Sequence, residues 1–262
     1  MNNFPANMLR QIKRKVFGKN VPTDVVLDGM QQNCVSRQDF DEFTRQTIQR
    51  VSGYTLTSPE RLSETIQATR YISLNNIGGS IVECGVWKGG SVLAIISTLM
   101  SLNDTSREIY LFDTFQGMTE PDNRDVSING VTAGEILANE NPEIEHSVWC
   151  KTSLEGVKAV IGKTAYPQDK IHFVRGKVED TIPGKAPSKI ALLRLDTDWY
   201  ASTAHELLHL YPRVSKGGIV IIDDYGHWQG ARKAVDDFLS TLSVKPFLAR
   251  TDYTGRICTK PD

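Results

Sequence analysis

The chain has 262 residues, 40% hydrophobic and 23% charged, proportions that suit one large globular domain and exclude wholesale disorder. A formal net charge of -1 leaves no general electrostatic case for a nucleic-acid or membrane partner. Cys34, Cys84, Cys150 and Cys258 lack C-x-x-C spacing, no apolar run approaches the roughly 20 residues of a membrane span, and the start has no signal-like apolar core, so a cytoplasmic protein is expected.

Residues 1–57 are polar and mixed. Arg10, Lys13, Arg14, Lys15 and Lys19 cluster near the start, which fits a solvated helix better than a nucleic-acid or membrane contact because so few charges are involved. Phe40, Phe43 and Tyr54 are spaced through a predicted helix. Ser58-Pro59-Glu60 then reads as a helix start, with Ser as N-cap, Pro at the first helical position and an acid in the first turn. That helix should run to Asn75–Asn76 and stop before Gly78-Gly79. Ser80–Cys84 is a predicted buried strand, followed by glycines and a helix through Ser91–Leu102. Ile109–Phe112 is a second strand, ending at Asp113. After a long polar stretch, Thr152-x-x-Glu155 reads as a capping box opening a helix with Leu154, Val157, Val160 and Ile161 on one face.

Ile171–Arg175, Ile190–Leu195 and Ile219–Ile222 are further predicted strands, the last two separated by a helix over Thr203–Tyr211 that Pro212 closes. The helix after Asp224 carries Ala231, Ala234, Val235, Phe238, Leu239 and Leu242 at helical spacing. Two short strands, near Phe247–Arg250 and Gly255–Thr259, finish the chain. Strands alternating with helices imply a parallel sheet covered on both faces. In such sheets a ligand lies beyond the carboxyl ends of the strands, where the order reverses. Glu83 with Gly85, Asp113, Asp196, and Asp223-Asp224 all sit at those ends.

Glu83-Cys84-Gly85-Val86-Trp87-Lys88-Gly89-Gly90 follows a strand and opens a helix. Glycines there let the backbone turn sharply and approach a ligand closely. Asp113 ends the next strand at about the distance expected of an acid that binds ribose hydroxyls. The spacing is not G-x-G-x-x-G, and Glu83 would repel a pyrophosphate but suit an ammonium group. S-adenosylmethionine has that group and no phosphates. A purely structural turn beside an unrelated acid is the plain alternative.

Asp196-Thr197-Asp198 and Asp223-Asp224 place three or four carboxylates on what should be neighbouring strands. Such acids repel unless a cation lies between them, and Mg²⁺ takes oxygen ligands of this kind. Solvated acids at helix N-termini are the competing explanation. His205-Glu206-Leu207-Leu208-His209 matches the zinc-protease pattern H-E-x-x-H. With a core face set by Ala204, Leu207, Leu208 and Tyr211 both histidines fall off that face, no third-ligand motif is apparent, and the match is read as accidental.

Together these blocks resemble the macrocin O-methyltransferase family, whose members methylate sugar hydroxyls on macrolide and aminocoumarin natural products. The resemblance runs from about Leu56 to the C-terminus. It rests on Ser58-Pro59-Glu60-Arg61, Val82 to Gly90, Leu111-Phe112-Asp113-Thr114-Phe115-Gln116-Gly117-Met118, Gly176 to Thr181, Leu195 to Tyr200, and Ile222-Asp223-Asp224-Tyr225-Gly226-His227. It implies an α/β class I methyltransferase (Rossmann-like) fold: a seven-stranded, mostly parallel sheet with the last strand antiparallel. Residues 1–57 would form a helical lid that helps build a homodimer, and 58–262 the S-adenosylmethionine-dependent domain. Glu83, Gly85, Gly89, Gly90 and Ser91 would hold the methionine part, Asp113 with Thr114 and Phe115 the ribose, and Asp180 with Val178 and Glu179 the adenine. Asp196, Asp223 and Asp224 would bind Mg²⁺, with Asp196 the base and His227 the alternative. The acceptor would be read by the N-terminal segment and the loop from Gly117 to Trp149.

The expected activity is therefore Mg²⁺-dependent O-methylation of a small-molecule hydroxyl, on a sugar of a natural product or glycan. A catechol-like phenol is the other acceptor class. A nicotinamide oxidoreductase would need a phosphate cradle without Glu83 and a catalytic pair that the chain does not display. A non-catalytic S-adenosylmethionine-binding protein would have no use for the strand-end carboxylates.

Overall fold

The computed structural model describes residues 39–144 and 147–262. Cys34, the basic cluster from Arg10 to Lys19 and most of the expected lid lie outside them. The chain divides into two units, 1–41 and 42–262, and of the first only residues 39–41 are described. The second begins at helix α1 (Glu42–Val51), so residues 42–57 are packed in one unit with the residues from 58 onward. Val51 on α1 shares an apolar cluster with Leu62, Ile66 and Ala94. Helix α2 (Pro59–Leu74) starts where its cap residues direct: Ser58 is extended and its Oγ accepts from the Arg61 amide.

The remaining elements are β1 (Ser80–Cys84), α3 (Gly90–Ser101), β2 (Ile109–Asp113), α4 (Ala133–Asn139), α5 (Leu154–Ile161), β3 (Ile171–Arg175), α6 (Val178–Thr181), β4 (Ile190–Leu195), α7 (Tyr200–Leu210), β5 (Val214–Ile222), α8 (Gln229–Thr241), β6 (Ala249–Arg250) and β7 (Arg256–Thr259). They build one seven-stranded sheet in the order β3-β2-β1-β4-β5-β7-β6. The first five strands are parallel, and β7 runs antiparallel between β5 and β6. This is the expected mixed sheet with its one reversed strand.

Alternation along the strands divides the core into two layers. Ile81, Ile109, Leu111, Leu192, Ile219 and Ile221 pack with α2, α3 and α5 on one face. Val82, Cys84, Phe112, Leu193, Leu195, Val220 and Ile222 pack with α7 and α8 on the other. The strand order reverses between β1 and β4, and both neighbours leave a crevice at their carboxyl ends.

Several local expectations are corrected. The cap of α5 is Ser153, whose Oγ accepts from the Gly156 amide. Glu155 then occupies the second helical position, from which it cannot close a box with Thr152. A true capping box appears at Thr132 and Glu135, opening α4 inside the long polar stretch. Helix α7 begins three residues early, at Tyr200, because the buried Asp125 carboxylate accepts from the Tyr200 amide at 2.8 Å. Its core face is Thr203, Glu206, Leu207 and Leu210, while Leu208 is exposed. Strand β5 begins at Val214, ahead of the expected Ile219, and passes through Gly217 at φ +73°.

Candidate active site

Period-two alternation carries the polar ends of the strands onto the same two faces. Glu83 continues the Ile81 row, Arg194 the Leu192 row and Asp223 the Ile221 row, and register pairs Glu83 directly with Arg194. Arg194 is 1% exposed. Its Nη1 donates to Glu83 Oε1 at 2.8 Å and to Asp196 Oδ2 at 2.6 Å, and its Nη2 donates to Asp223 Oδ1 and to Thr57 Oγ1. Arg61, from α2, pairs with Asp223 and, at 3.1 Å, with Asp252. Burial alone would lower the Arg194 pKa, but the charges of Asp196 and Glu83 outweigh it and the net shift is upward. Sequence reasoning gave neither arginine a role. The signal for Arg194 was present: a lone cation inside an otherwise apolar strand, in the same alternation phase as Glu83.

Asp223, expected to ligate metal, lies just past β5 and is held by arginines. Both its oxygens are taken by Arg61 and Arg194. The acids that do converge are Asp196, Asp198 and Asp224, each offering an oxygen within 4.8 Å of the others. The Asp198 amide also donates to Asp224 Oδ2 at 3.2 Å. Burial first, and then the charges of neighbouring aspartates, push the Asp198 and Asp224 carboxyls above the usual carboxylate range. Mg²⁺ takes carboxylate oxygens of this kind. The donor set fits the ion.

A cavity of about 300 Å³ lies over these groups, lined by Glu83, Asp113, Asp196, Asp198, Asp223, Asp224 and His227, and by Thr55–Thr57 and Tyr253. A smaller hollow of about 60 Å³ shares Gly85, Asp113 and Asp196 with it and continues past Thr114 to Val178 and Glu179. Glu83 Oε2 is buried without a hydrogen-bond partner. Burial, opposed by Arg194, raises the Glu83 carboxyl to about 7. An ammonium group is the complement such an oxygen lacks, so the site fits the methionine end of the methyl donor.

Two glycines of the loop make room for neighbouring backbone. A Cβ on Gly85, at φ +83°, would stand 1.8 Å from the Asp196 carbonyl oxygen. One on Gly90 would stand 2.6 Å from the Tyr54 carbonyl oxygen. Gly85 and Ser91 line the larger cavity, whereas Gly89 and Gly90 do not. Asp113 accepts amide hydrogen bonds from Val86 (2.7 Å) and Trp87 (3.0 Å) on one oxygen and Phe115 (2.6 Å) on the other. A carboxylate has about four acceptor positions, so one remains for a hydroxyl. Burial, against these bonds, raises its pKa. The Phe115 side chain turns into the core beside Phe173. Asp180 is exposed and lines neither hollow.

His227 follows β5, its amide bonded to the Asp224 carbonyl at 3.0 Å and its Nδ1 3.4 Å from the Tyr253 hydroxyl. Burial and then Arg61 lower its pKa, which keeps the ring neutral near pH 7. From the loop after β2, Gly117, Met118 and Val148 reach the cavity, while α4 packs on Trp199 and Trp228. His205 and His209 stand apart from the cavity. His205 Nε2 meets the Ile182 carbonyl at 2.9 Å, and the two imidazole rings are in tilted contact with centroids 4.4 Å apart. A larger hollow of about 730 Å³ opens at the amino ends of the strands beside Arg107. That guanidinium is spent on Asp104 and on the carbonyls of Ile72, Ile77 and Gly79, so it serves as scaffold.

Among the described residues no helix is long and apolar enough to cross a membrane. Comparison with known proteins agrees with the geometry. The family model for Macrocin-O-methyltransferase (TylF) matches residues 8–260. The chain is 32% identical over 203 residues to the 8-demethyl-8-(2,3-dimethoxy-alpha-L-rhamnosyl)-tetracenomycin-C 4'-O-methyltransferase of Streptomyces olivaceus, covering 77% of this chain and 74% of that one. It is 29% identical over 204 residues to the demethyldecarbamoylnovobiocin O-methyltransferase of Streptomyces niveus, covering 78% and 74%. The solved structure of the O-methyltransferase NovP superposes with a TM-score of 0.68 at 30% identity, over 80% of this chain and 83% of that one. The chain belongs to the macrocin-O-methyltransferase family and is an S-adenosylmethionine-dependent O-methyltransferase.

Proposed function

We propose that the chain is a Mg²⁺-dependent enzyme that methylates a sugar hydroxyl on a small natural product. The observation that carries this is one cavity with the Glu83 loop at one side and the Asp196–Asp198–Asp224 triad at the other. The names of the two Streptomyces relatives, one acting on a rhamnosyl-tetracenomycin and one on a novobiocin precursor, support an antibiotic glycoside as the acceptor class.

In the reaction an O–H and an S–CH₃ bond break, an O–CH₃ bond forms, and sulfur keeps the electron pair of its broken bond. Glu83 would receive the donor's ammonium on its free oxygen, Asp113 a ribose hydroxyl at its remaining acceptor position, and Val178 and Glu179 would flank the adenine. Asp196, Asp198 and Asp224 would hold Mg²⁺, which when bound lowers the pKa of an acceptor hydroxyl and fixes its direction. Asp196 takes the proton in this scheme: Arg194 occupies its Oδ2 and leaves Oδ1 for the acceptor. His227, held neutral by its surroundings, is the other acceptor in reach. Holding both reactants in line contributes up to roughly 7–11 kcal/mol to the barrier reduction.

Turnover of a glycoside acceptor should cease in EDTA and return with Mg²⁺. Asp198→Asn should raise the Mg²⁺ needed, because a weaker neutral oxygen replaces a charged ligand. Asp223→Asn should leave that requirement nearly unchanged and lower stability instead, since its partners are arginines. Full activity in EDTA, or a Mg²⁺ requirement shifted by Asp223→Asn and not by Asp198→Asn, would overturn the reading.

A further inference from the structure

A fully buried carboxyl lies under the methyl-transfer site. Glu206, on the core face of α7, has 0% exposure, and a carboxyl so placed is costly unless hydrogen-bonded. Its two oxygens lie 3.0 and 3.1 Å from Thr197 Oγ1. Thr197 is the middle residue of the turn that leaves β4. The carboxyl therefore ties the turn after β4 to α7.

The turn it grips is a demanding one. Asp198 has φ +68°, a left-handed conformation uncommon outside glycine. The backbone around it is anchored at each residue. The Asp196 amide donates to the Cys84 carbonyl at 2.8 Å, and the Trp199 amide and Ser202 hydroxyl donate to the Thr197 carbonyl at 2.8 and 3.3 Å. With the Thr197 side chain drawn toward α7, the acids on either side of it face the larger cavity, and both line its wall. The hydroxyl is nearly equidistant from both Glu206 oxygens, so the contact persists whichever oxygen carries a proton.

We infer that Thr197 and Glu206 form a clamp that positions Asp196 and Asp198 for a divalent cation. This assigns a task to the glutamate of the H-E-x-x-H sequence, a positioning residue for the acid triad with no part in zinc ligation. The inference rests on the metal reading given above.

The test is Mn²⁺ binding to the purified full chain, followed by electron paramagnetic resonance without substrate or turnover. Loss of a residue that orients metal ligands typically weakens metal affinity about 10–100-fold. Thr197→Val, which removes the hydroxyl at nearly constant volume, should raise the Mn²⁺ Kd at least about tenfold, and Glu206→Leu should do the same. Glu206→Gln keeps a hydrogen-bonding pair and should restore binding to within about threefold of wild type. Should Glu206→Leu fail to fold, Thr197→Val and Glu206→Gln decide the matter alone. Wild-type Kd in folded Thr197→Val overturns the clamp while leaving the metal site standing. A wild-type chain that binds no Mn²⁺ overturns the metal reading and the clamp with it.

Discussion

Gly85→Ala and Gly130→Ala form a matched pair, because the two glycines have nearly the same backbone, φ +83° and φ +80°, in opposite surroundings. A left-handed conformation costs an L side chain roughly 1–2 kcal/mol, and that penalty is common to both. At Gly130 a new Cβ meets nothing within 4 Å, so the shared penalty is the whole effect. At Gly85 the Cβ would stand 1.8 Å from the Asp196 carbonyl oxygen, and an ordinary contact of 3.4 Å requires a retreat of 1.6 Å. Two backbone bonds fix those segments in place: Gly85 N to the Phe112 carbonyl of β2 at 2.9 Å and Asp196 N to the Cys84 carbonyl of β1 at 2.8 Å. Leaving such buried groups unpaired costs about 1–3 kcal/mol each. The expected loss at Gly85 is therefore about 3–8 kcal/mol, against about 1–2 at Gly130. A domain is stable by about 5–15 kcal/mol in all, so Gly85→Ala should be marginally folded at best. Urea unfolding of both variants measures the difference, and S-adenosylhomocysteine can be added to hold a weakened Gly85→Ala chain together. Losses equal to within about 1 kcal/mol would refute the close approach of β1 and β4 as the reason for that glycine.

S-adenosylhomocysteine binding should strengthen as pH rises through about 7, because Glu83 must ionise to meet an ammonium and burial raises its pKa to about 7. The folding linkage has the opposite sign. A raised carboxyl pKa stabilises the fold at low pH, and that contribution fades between the unfolded value near 4.3 and the folded value near 7. Glu83→Gln should flatten the binding profile and cost about 1.5–3 kcal/mol of affinity at pH 8; calorimetry across pH 5.5–8 reads both, and an unaltered slope in Glu83→Gln would remove this residue from ligand binding. Replacing His205 and His209 together by Gln should leave methyl transfer nearly intact, since neither lines the cavity. Stoichiometric zinc that disappears in the double variant would contradict that.

The sheet was legible because its central strands are short apolar runs fenced by polar residues. Ser80–Cys84, Ile171–Arg175 and Ile190–Leu195 could be bounded from composition alone. β5 was foreshortened, since Gly217-Gly218 looks like a turn locally and only pairing with β4 and β7 keeps it extended. α4 is a seven-residue helix in a polar stretch, held by its cap and by two tryptophans distant in sequence, so no periodicity announces it. In the site, strand-end position brought Glu83, Asp113, Asp196, Asp224 and His227 together. The choice between Asp198 and Asp223 turned on two arginines whose partners a linear reading does not display. Phe115 and Gly90 were read as ligand contacts because they adjoin true cavity residues. The Phe115 ring is turned by core packing, and Gly90 is set by the approach of Tyr54.

The seating of Tyr54 and Thr55 against Gly90 bears on how the chain can be recombined. Its first strong local signal is Ser58-Pro59, an inviting point for truncation or for crossover with a relative. A chain begun there would lose Val51 from the cluster with Leu62 and Ile66, and Thr57 from Arg194. It would also lose the Thr55–Thr57 wall of the cavity. A hybrid joined at that point would face Gly90 with a foreign backbone in place of the Tyr54 carbonyl oxygen and the Thr55 Cβ, each of which lies 2.6 Å from where a Cβ on Gly90 would stand. The segment before Ser58 and the helix that begins at Gly90 are therefore inherited together, and an exchange point that preserves their fit lies ahead of Glu42.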